Sequence, residues 1–134
     1  MPVKLDTDTI RNIAAFERIT RVHARDCITI DDCIYFLVES EKMGVAIGKN
    51  GAVIKEVRKT FGKPVKLFGY KDNPEEFLKQ MIPNIRSIDI NNDSITISVP
   101  NDDKVAIIGK NGRNIKAIKE IMKRHFAIKN LKLR

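Results

Sequence analysis

Two segments decide how this chain is read: VAIGKNGAVIKEV at Val45–Val57 and AIIGKNGRNIKAI at Ala106–Ile118. Ile-Gly-Lys-Asn-Gly recurs letter for letter 61 residues later, and the apolar residues behind it keep the same register. Ile54 aligns with Ile115, Val57 with Ile118 and Phe61 with Met122. Spacings of three and four place these residues on one buried helical stripe, used twice. Lys55 and Lys116 also align, on the other side of that helix.

Working outward, Ile34, Phe36 and Val38 align with Ile95, Ile97 and Val99, an alternation that predicts a strand with one buried face. Ile28 and Ile30 precede the first set, and Ile88 and Ile90 the second, at an offset of 60 instead of 61. The extra residue is expected in the turn, where an insertion costs least. Each half opens with a predicted helix, Thr9 to Thr20 with Ile10, Ile13 and Phe16 on one side, and Pro74 to Ile82 with proline in its first turn. Each ends in a predicted strand, Val65 to Tyr70 and Ile128 to Leu133. The repeat divides the chain into residues 1–72 and 73–134, an α+β arrangement of two small domains. A connection as short as Lys71-Asp72-Asn73 leaves little freedom, so the two are expected to pack together.

The 134 residues carry 25 Lys and Arg against 17 Asp and Glu, a formal charge of +8. Such a balance suggests a polyanionic partner such as nucleic acid or an acidic membrane surface, and favours nucleic acid over a basic surface that merely keeps the chain soluble. No apolar run reaches the roughly 20 residues needed to cross a bilayer, and Met1 to Thr7 lacks the apolar centre of a leader, so a cytoplasmic protein is expected. Cys27 and Cys33 flank a predicted tight turn at Asp31-Asp32, which puts Cys27 opposite Phe36 or Leu37 and leaves the thiols reduced. His23 with these two cysteines does not make a zinc set, and no metal or cofactor is expected.

Glycines let a backbone approach a phosphate closely, and here two of them bracket Lys49-Asn50 and Lys110-Asn111 just ahead of a helix whose first amides are electropositive. A nucleotide-hydrolysing loop would need Ser or Thr after the lysine, but Asn50 and Asn111 stand there. Ala46 and Ile107 occupy the place of the first glycine in the dinucleotide fingerprint. A plain tight turn would also use Asn-Gly, but its repetition with Lys and Asn retained points to an anion.

The pattern Ile-Gly-x-x-Gly-x-x-Ile, met by Ile47 to Ile54 and by Ile108 to Ile115, resembles the signature of the KH domain, a module that clamps about four single-stranded nucleotides against its Gly-x-x-Gly loop. The order of elements is similar to the type II form. That resemblance implies two tandem domains, each a three-stranded mixed sheet with helices packed on one face. The close-set pair resembles the archaeal NusA-like transcription factors over nearly the whole chain, implying a single-stranded RNA-binding factor of transcription termination or antitermination. It also implies that Gly48, Gly51, Gly109 and Gly112 let the RNA backbone pass, that Lys49 and Lys110 neutralise phosphates, and that Asn50 and Asn111 donate hydrogen bonds. Ile47, Ile54, Ile108 and Ile115 would form an apolar floor under the bases, a role that ordinary core packing also explains. Lys55, Lys116 and Arg113, on the helices that follow the loops, are further candidate RNA-binding residues, Arg113 where the first copy has Ala52.

Other functions fit less well. Aromatic-platform RNA readers use exposed rings, but the chain has no Trp and only 6% aromatic residues. Asp31-Asp32 and Asp102-Asp103 suit turns and helix caps, and His23 and His125 have no nucleophile in view, so no enzyme is expected. A KH protein of ribosome assembly and, behind it, a phosphate-binding enzyme are the alternatives. The expected partners are single-stranded RNA, with RNA polymerase or ribosomal components beside it, and the expected state is a monomer.

Overall fold

The first unit begins with a capped helix. In the computed structural model, which describes residues 6–134, the Asp6 side chain accepts from the Thr9 amide at 2.8 Å and starts α1 (Thr7–Thr20). Residues 1–5, most of the stretch read as lacking a leader, lie outside the described residues. Strands β1 (Ala24–Ile30) and β2 (Cys33–Glu39) pair antiparallel around Asp31 and Asp32, both left-handed at φ 49° and 64°. A two-residue turn of that hand matches the natural twist of the strands it joins. A short α2 (Met43–Ile47) leads through the glycine loop into α3 (Ala52–Phe61), which left-handed Gly62 ends, and β3 (Val65–Tyr70) returns parallel to β2.

The second unit, beginning at Asp72, repeats this order. Asn73 accepts from the amides of Glu75 and Glu76 to start α4 (Pro74–Met81), followed by β4 (Ser87–Asn91) and β5 (Ser94–Ser98). Then come α5 (Asn101–Ile108), α6 (Arg113–Phe126) and β6 (Asn130–Leu133). The sheets run β1-β2-β3 and β4-β5-β6, each with one antiparallel and one parallel pairing. The α+β class and the paired three-stranded mixed sheets are as the sequence implied.

Helix-to-sheet packing explains the apolar stripes. Phe16 of α1 stacks on Phe36 of β2 at 4.2 Å between ring centres, and Phe61 leans on Phe36 at 5.7 Å. Ile34, Val38, Ile54 and Val57 complete that cluster. In the second unit Ile95, Ile97 and Val99 are buried, as are Ala117, Ile118, Ile121 and Met122 of α6, while Phe77 meets Phe126 at 5.6 Å. Burial of these side chains is the main favourable term that holds each unit together.

Three expectations need correction. Ile28 and Ile30 are not the counterparts of Ile88 and Ile90. Cys27 lies opposite Phe36 and Thr29 opposite Ile34, just as Ile88 lies opposite Ile97 and Ile90 opposite Ile95. The offset of 61 therefore holds through both hairpins, and both turns have two residues. Ile28 pairs with Tyr35 on the opposite face of its sheet, because a shift of one residue reverses every side chain. Second, Ile10 is 54% exposed, so the buried stripe of α1 starts at Ile13. Third, the last strand is shorter than expected. Ala127 turns left-handed at φ 56°, the Ile128 amide bonds back to Met122 O at 3.1 Å, and the amides of Lys129 and Asn130 go to Asp93 O before the ladder begins.

The two isoleucine pairs are thus separable by experiment. Ile28 is 6% exposed and Ile90 48%, so Ile28→Ala should destabilise by about 2–5 kcal/mol and Ile90→Ala by less than about 1 kcal/mol in urea unfolding. Equal losses would contradict the difference in burial that the strand register assigns.

Candidate nucleic-acid interface

The two Gly-Lys-Asn-Gly loops adopt the same backbone. The chain leaves α2 at Gly48 (φ 79°, ψ 170°) and α5 at Gly109 (φ 79°, ψ 174°). Asn50 and Asn111 follow at φ 56° and 57°, then Gly51 and Gly112 at φ 74° and 72°, before α3 and α6 begin. Asparagine tolerates the left-handed region better than most residues and glycine enters it without strain, so Asn-Gly sets the shape of the turn as well as its chemistry. Each loop closes on itself. Gly51 N–H donates to Gly48 O at 3.1 Å and Gly112 N–H to Gly109 O at 3.0 Å, while the amides of Ala52 and Arg113 reach Lys49 O and Lys110 O. Those amides are used internally, so the expectation that the first amides stand open to an anion is corrected for these positions.

The first glycine of each loop is also required by space. A Cβ on Gly48 would lie 2.9 Å from the Val53 backbone nitrogen, and one on Gly109 would lie 2.8 Å from Asn114 Cβ. Asn114 reinforces the second copy by donating through Nδ2 to Ala106 O at 3.4 Å. Val53 and Asn114 escaped the sequence reading because they differ between the copies, though both stand five residues after the first glycine.

Electrostatics separate α3 and α6 from α1, α4 and α5. Asp8 sits in the first turn of α1, Glu75 and Glu76 in that of α4, and Asp102 and Asp103 in that of α5, the charge that complements a helix N-terminus. Neither α3 nor α6 has an acidic residue in its first turn, and both start at a glycine with no side-chain cap. The positive end of each dipole is therefore offset by no carboxylate of its own turn. Lysines add to it. Lys49 and Lys110 are exposed, as are Asn50 and Asn111. Lys55 and Lys116 reach back along their helices, each with Cε 3.9 Å from where a Cβ on Gly51 or Gly112 would sit. That return follows from side chains tilting toward the helix N-terminus.

The apolar residues divide. Ile47 and Ile108 are each 38% exposed beside the loops, whereas Ile54 is buried in the core and Ile115 is half-buried. Val45 and Val105 were missed in the sequence and are exposed on the helices that enter the loops. Each loop thus joins a cationic turn to exposed aliphatic carbon, the pairing that suits a chain of phosphates bearing flat apolar rings. Arg58 is otherwise engaged, donating from its guanidinium to Val65 O at 3.1 and 3.2 Å and tying α3 to β3. Tyr70 is buried under the Arg25 guanidinium, 3.8 Å from its ring centre. Cys27 and Cys33 lie within the buried core and are not joined in a disulfide. Among the described residues, no His, Cys, Asp or Glu side chains gather into a set suited to a metal ion, and no helix is long and apolar enough to cross a membrane.

Loop geometry makes the glycines unequal to others. Gly48→Ala and Gly109→Ala should each cost about 1–3 kcal/mol, since the added Cβ meets packed atoms at positive φ. Gly44→Ala, inside α2 with nothing within 4 Å, should instead stabilise by roughly 0.5–1 kcal/mol. Thermal melts of the three variants check this, and a Gly48→Ala protein as stable as the Gly44→Ala protein would contradict it.

Comparison with known proteins agrees with this geometry. The family model for the KH domain matches residues 10–72, and the one for the NusA-like second KH domain matches residues 74–134. The probable transcription termination protein NusA of Methanocaldococcus jannaschii is 31% identical, over 98% of this chain and 75% of that protein. The protein of the same name from Methanococcus vannielii is 32% identical, over 99% of this chain and 80% of its own length. The crystal structure of APE1850 superimposes with a TM-score of 0.80 at 31% identity, covering 97% of this chain and all of that one. With both halves matched as KH domains and relatives of this identity along almost its full length, the chain belongs to the NusA family of transcription termination proteins.

Proposed function

We propose that this protein binds single-stranded RNA through its two Gly-Lys-Asn-Gly loops and acts in transcription termination or antitermination. One observation carries the reading: two loops of matching backbone dihedrals, each joining an unneutralised helix N-terminus, two lysines and exposed aliphatic side chains. Phosphates of a passing strand meet the lysines, and unstacked bases lie on the carbon of Ile47 or Ile108. An A-form duplex hides its base edges in a groove that such a loop does not enter. The names of the NusA relatives support the placing in transcription.

The protein works by binding, without catalysis or a cofactor. The lysine of each loop is followed by asparagine, where a phosphate-transferring loop places the hydroxyl that holds magnesium. Each loop is built from one contiguous segment, which suits a monomer. The cytoplasmic site of transcription brings the protein to nascent RNA beside RNA polymerase. The short Lys71–Asn73 connection keeps two binding loops on one molecule, so a strand long enough to engage both gains affinity through effective concentration.

Filter binding with matched single-stranded and duplex RNA should favour the single strand by at least about tenfold. A Lys49→Asp and Asn50→Asp double variant should remain folded, since both positions are exposed and aspartate tolerates the left-handed region, yet lose affinity. Equal binding of duplex, or full affinity when both loops carry the aspartates, would sink the reading.

A further inference from the structure

The two loops share a backbone but not their surroundings. Arg113 opens α6, directly after Gly112, where the first unit has Ala52. A cation is the wrong charge for that position, because it stands against the positive end of its own helix dipole. Nothing in the first turn of α6 compensates it, for no acidic residue is present there. Moreover, Arg113 Nε is buried and has no hydrogen-bond partner among the described residues, although the residue as a whole is partly exposed. Buried nitrogens are almost always paired, so a donor left over by the protein's own groups at this place is open to an acceptor from outside the chain, water or a ligand oxygen.

We infer that Arg113 is a phosphate clamp that makes the second loop the anchoring site and leaves the two loops inequivalent. The inference rests on the RNA-binding reading above and deepens it. Nε–H and the neighbouring Nη–H form one flat edge of the guanidinium, matched to two oxygens of a phosphate. Through Nε that edge makes no hydrogen bond to the described residues. Turning outward to a phosphate at the loop therefore breaks no bond at that nitrogen and supplies the one it lacks. Lys110 and Lys116 flank the same turn, and Asn114 braces it through Ala106 O, so the charge is presented from a held backbone. The first loop has the two lysines, with Val53 in place of Asn114 and no arginine. It contributes the weaker, more apolar contact.

Arg113 is tested on the full chain with a mixed-sequence single-stranded RNA of roughly ten nucleotides, more than the four or so that one loop takes. Binding is measured over a range of salt for the wild type, Arg113→Ala, Arg113→Lys, and the aspartate double variants at 49/50 and 110/111. Arg113→Ala should lose roughly tenfold in affinity, with a salt slope shallower by about one, and melt no lower than the wild type because no Nε bond is lost. Arg113→Lys should keep the slope, since the charge remains, but recover little of the affinity, since the paired edge is gone. The 110/111 variant should bind more weakly than the 49/50 variant. If Arg113→Ala binds like the wild type while the aspartate variants lose affinity, the clamp is overturned and the RNA-binding reading stands. Full recovery by lysine, or a greater loss at 49/50, also overturns the clamp. If neither aspartate variant loses affinity, the reading beneath it fails as well.

Discussion

Everything proposed for this protein depends on one steric constraint: the chain must turn through Gly-Lys-Asn-Gly with its first glycine pressed against the following helix. At Gly48 and Gly109 no side chain fits, because Val53 and Asn114 already occupy the space a Cβ would take. The following asparagine and glycine are left-handed in both copies. The turn so formed starts a helix at a residue that supplies no side-chain cap. Positive potential stays at the loop as a result, and the lysine four residues after the second glycine folds back onto it. Shape and charge come from the same few residues.

The remaining fold serves to hold that turn rigid. In the first unit, α3 is anchored through Ile54 and Val57 to the Phe16–Phe36 stack and through Arg58 to Val65 O. In the second, α6 is longer by more than a turn and is buried along Ala117, Ile118, Ile121 and Met122. A loop on a fixed helix end presents its donors without first having to be ordered, which lowers the entropic cost of binding. The two copies are similar without being identical. The glycines, lysines and asparagines are held in common, while Ala52 against Arg113 and Val53 against Asn114 are where the units differ beside the turn.

Most of this was legible in the sequence because repetition supplied a second reading of every element. The glycine loop, the helical stripe from Ile54 and Ile115, and the alternation at Ile34 and Ile95 each appeared twice. The misplaced hairpin register shows the limit. Ile28 and Ile30 look like Ile88 and Ile90 by type, but apolar residues line both faces of the first sheet, so residue type no longer told which face a position occupied. Ile54 suits an apolar floor and core packing alike in the sequence, and its burial shows the packing, because one stripe serves both the loop and the core. The internal bonds of the loop amides, the bracing Asn114 and the orphan Nε of Arg113 were beyond reach. They depend on distances between atoms that no spacing rule fixes.

The central claim is that the two loops are the surface that meets RNA. Backbone amide NMR shifts, followed while a single-stranded RNA of about four nucleotides is titrated into the full chain, test it most directly. The account predicts that the largest changes fall on residues 48–55 and 109–116, with the polar sheet face at Asp89, Thr96 and Lys132 little affected. Saturable shifts confined to that sheet face, with both loops unmoved, would contradict it.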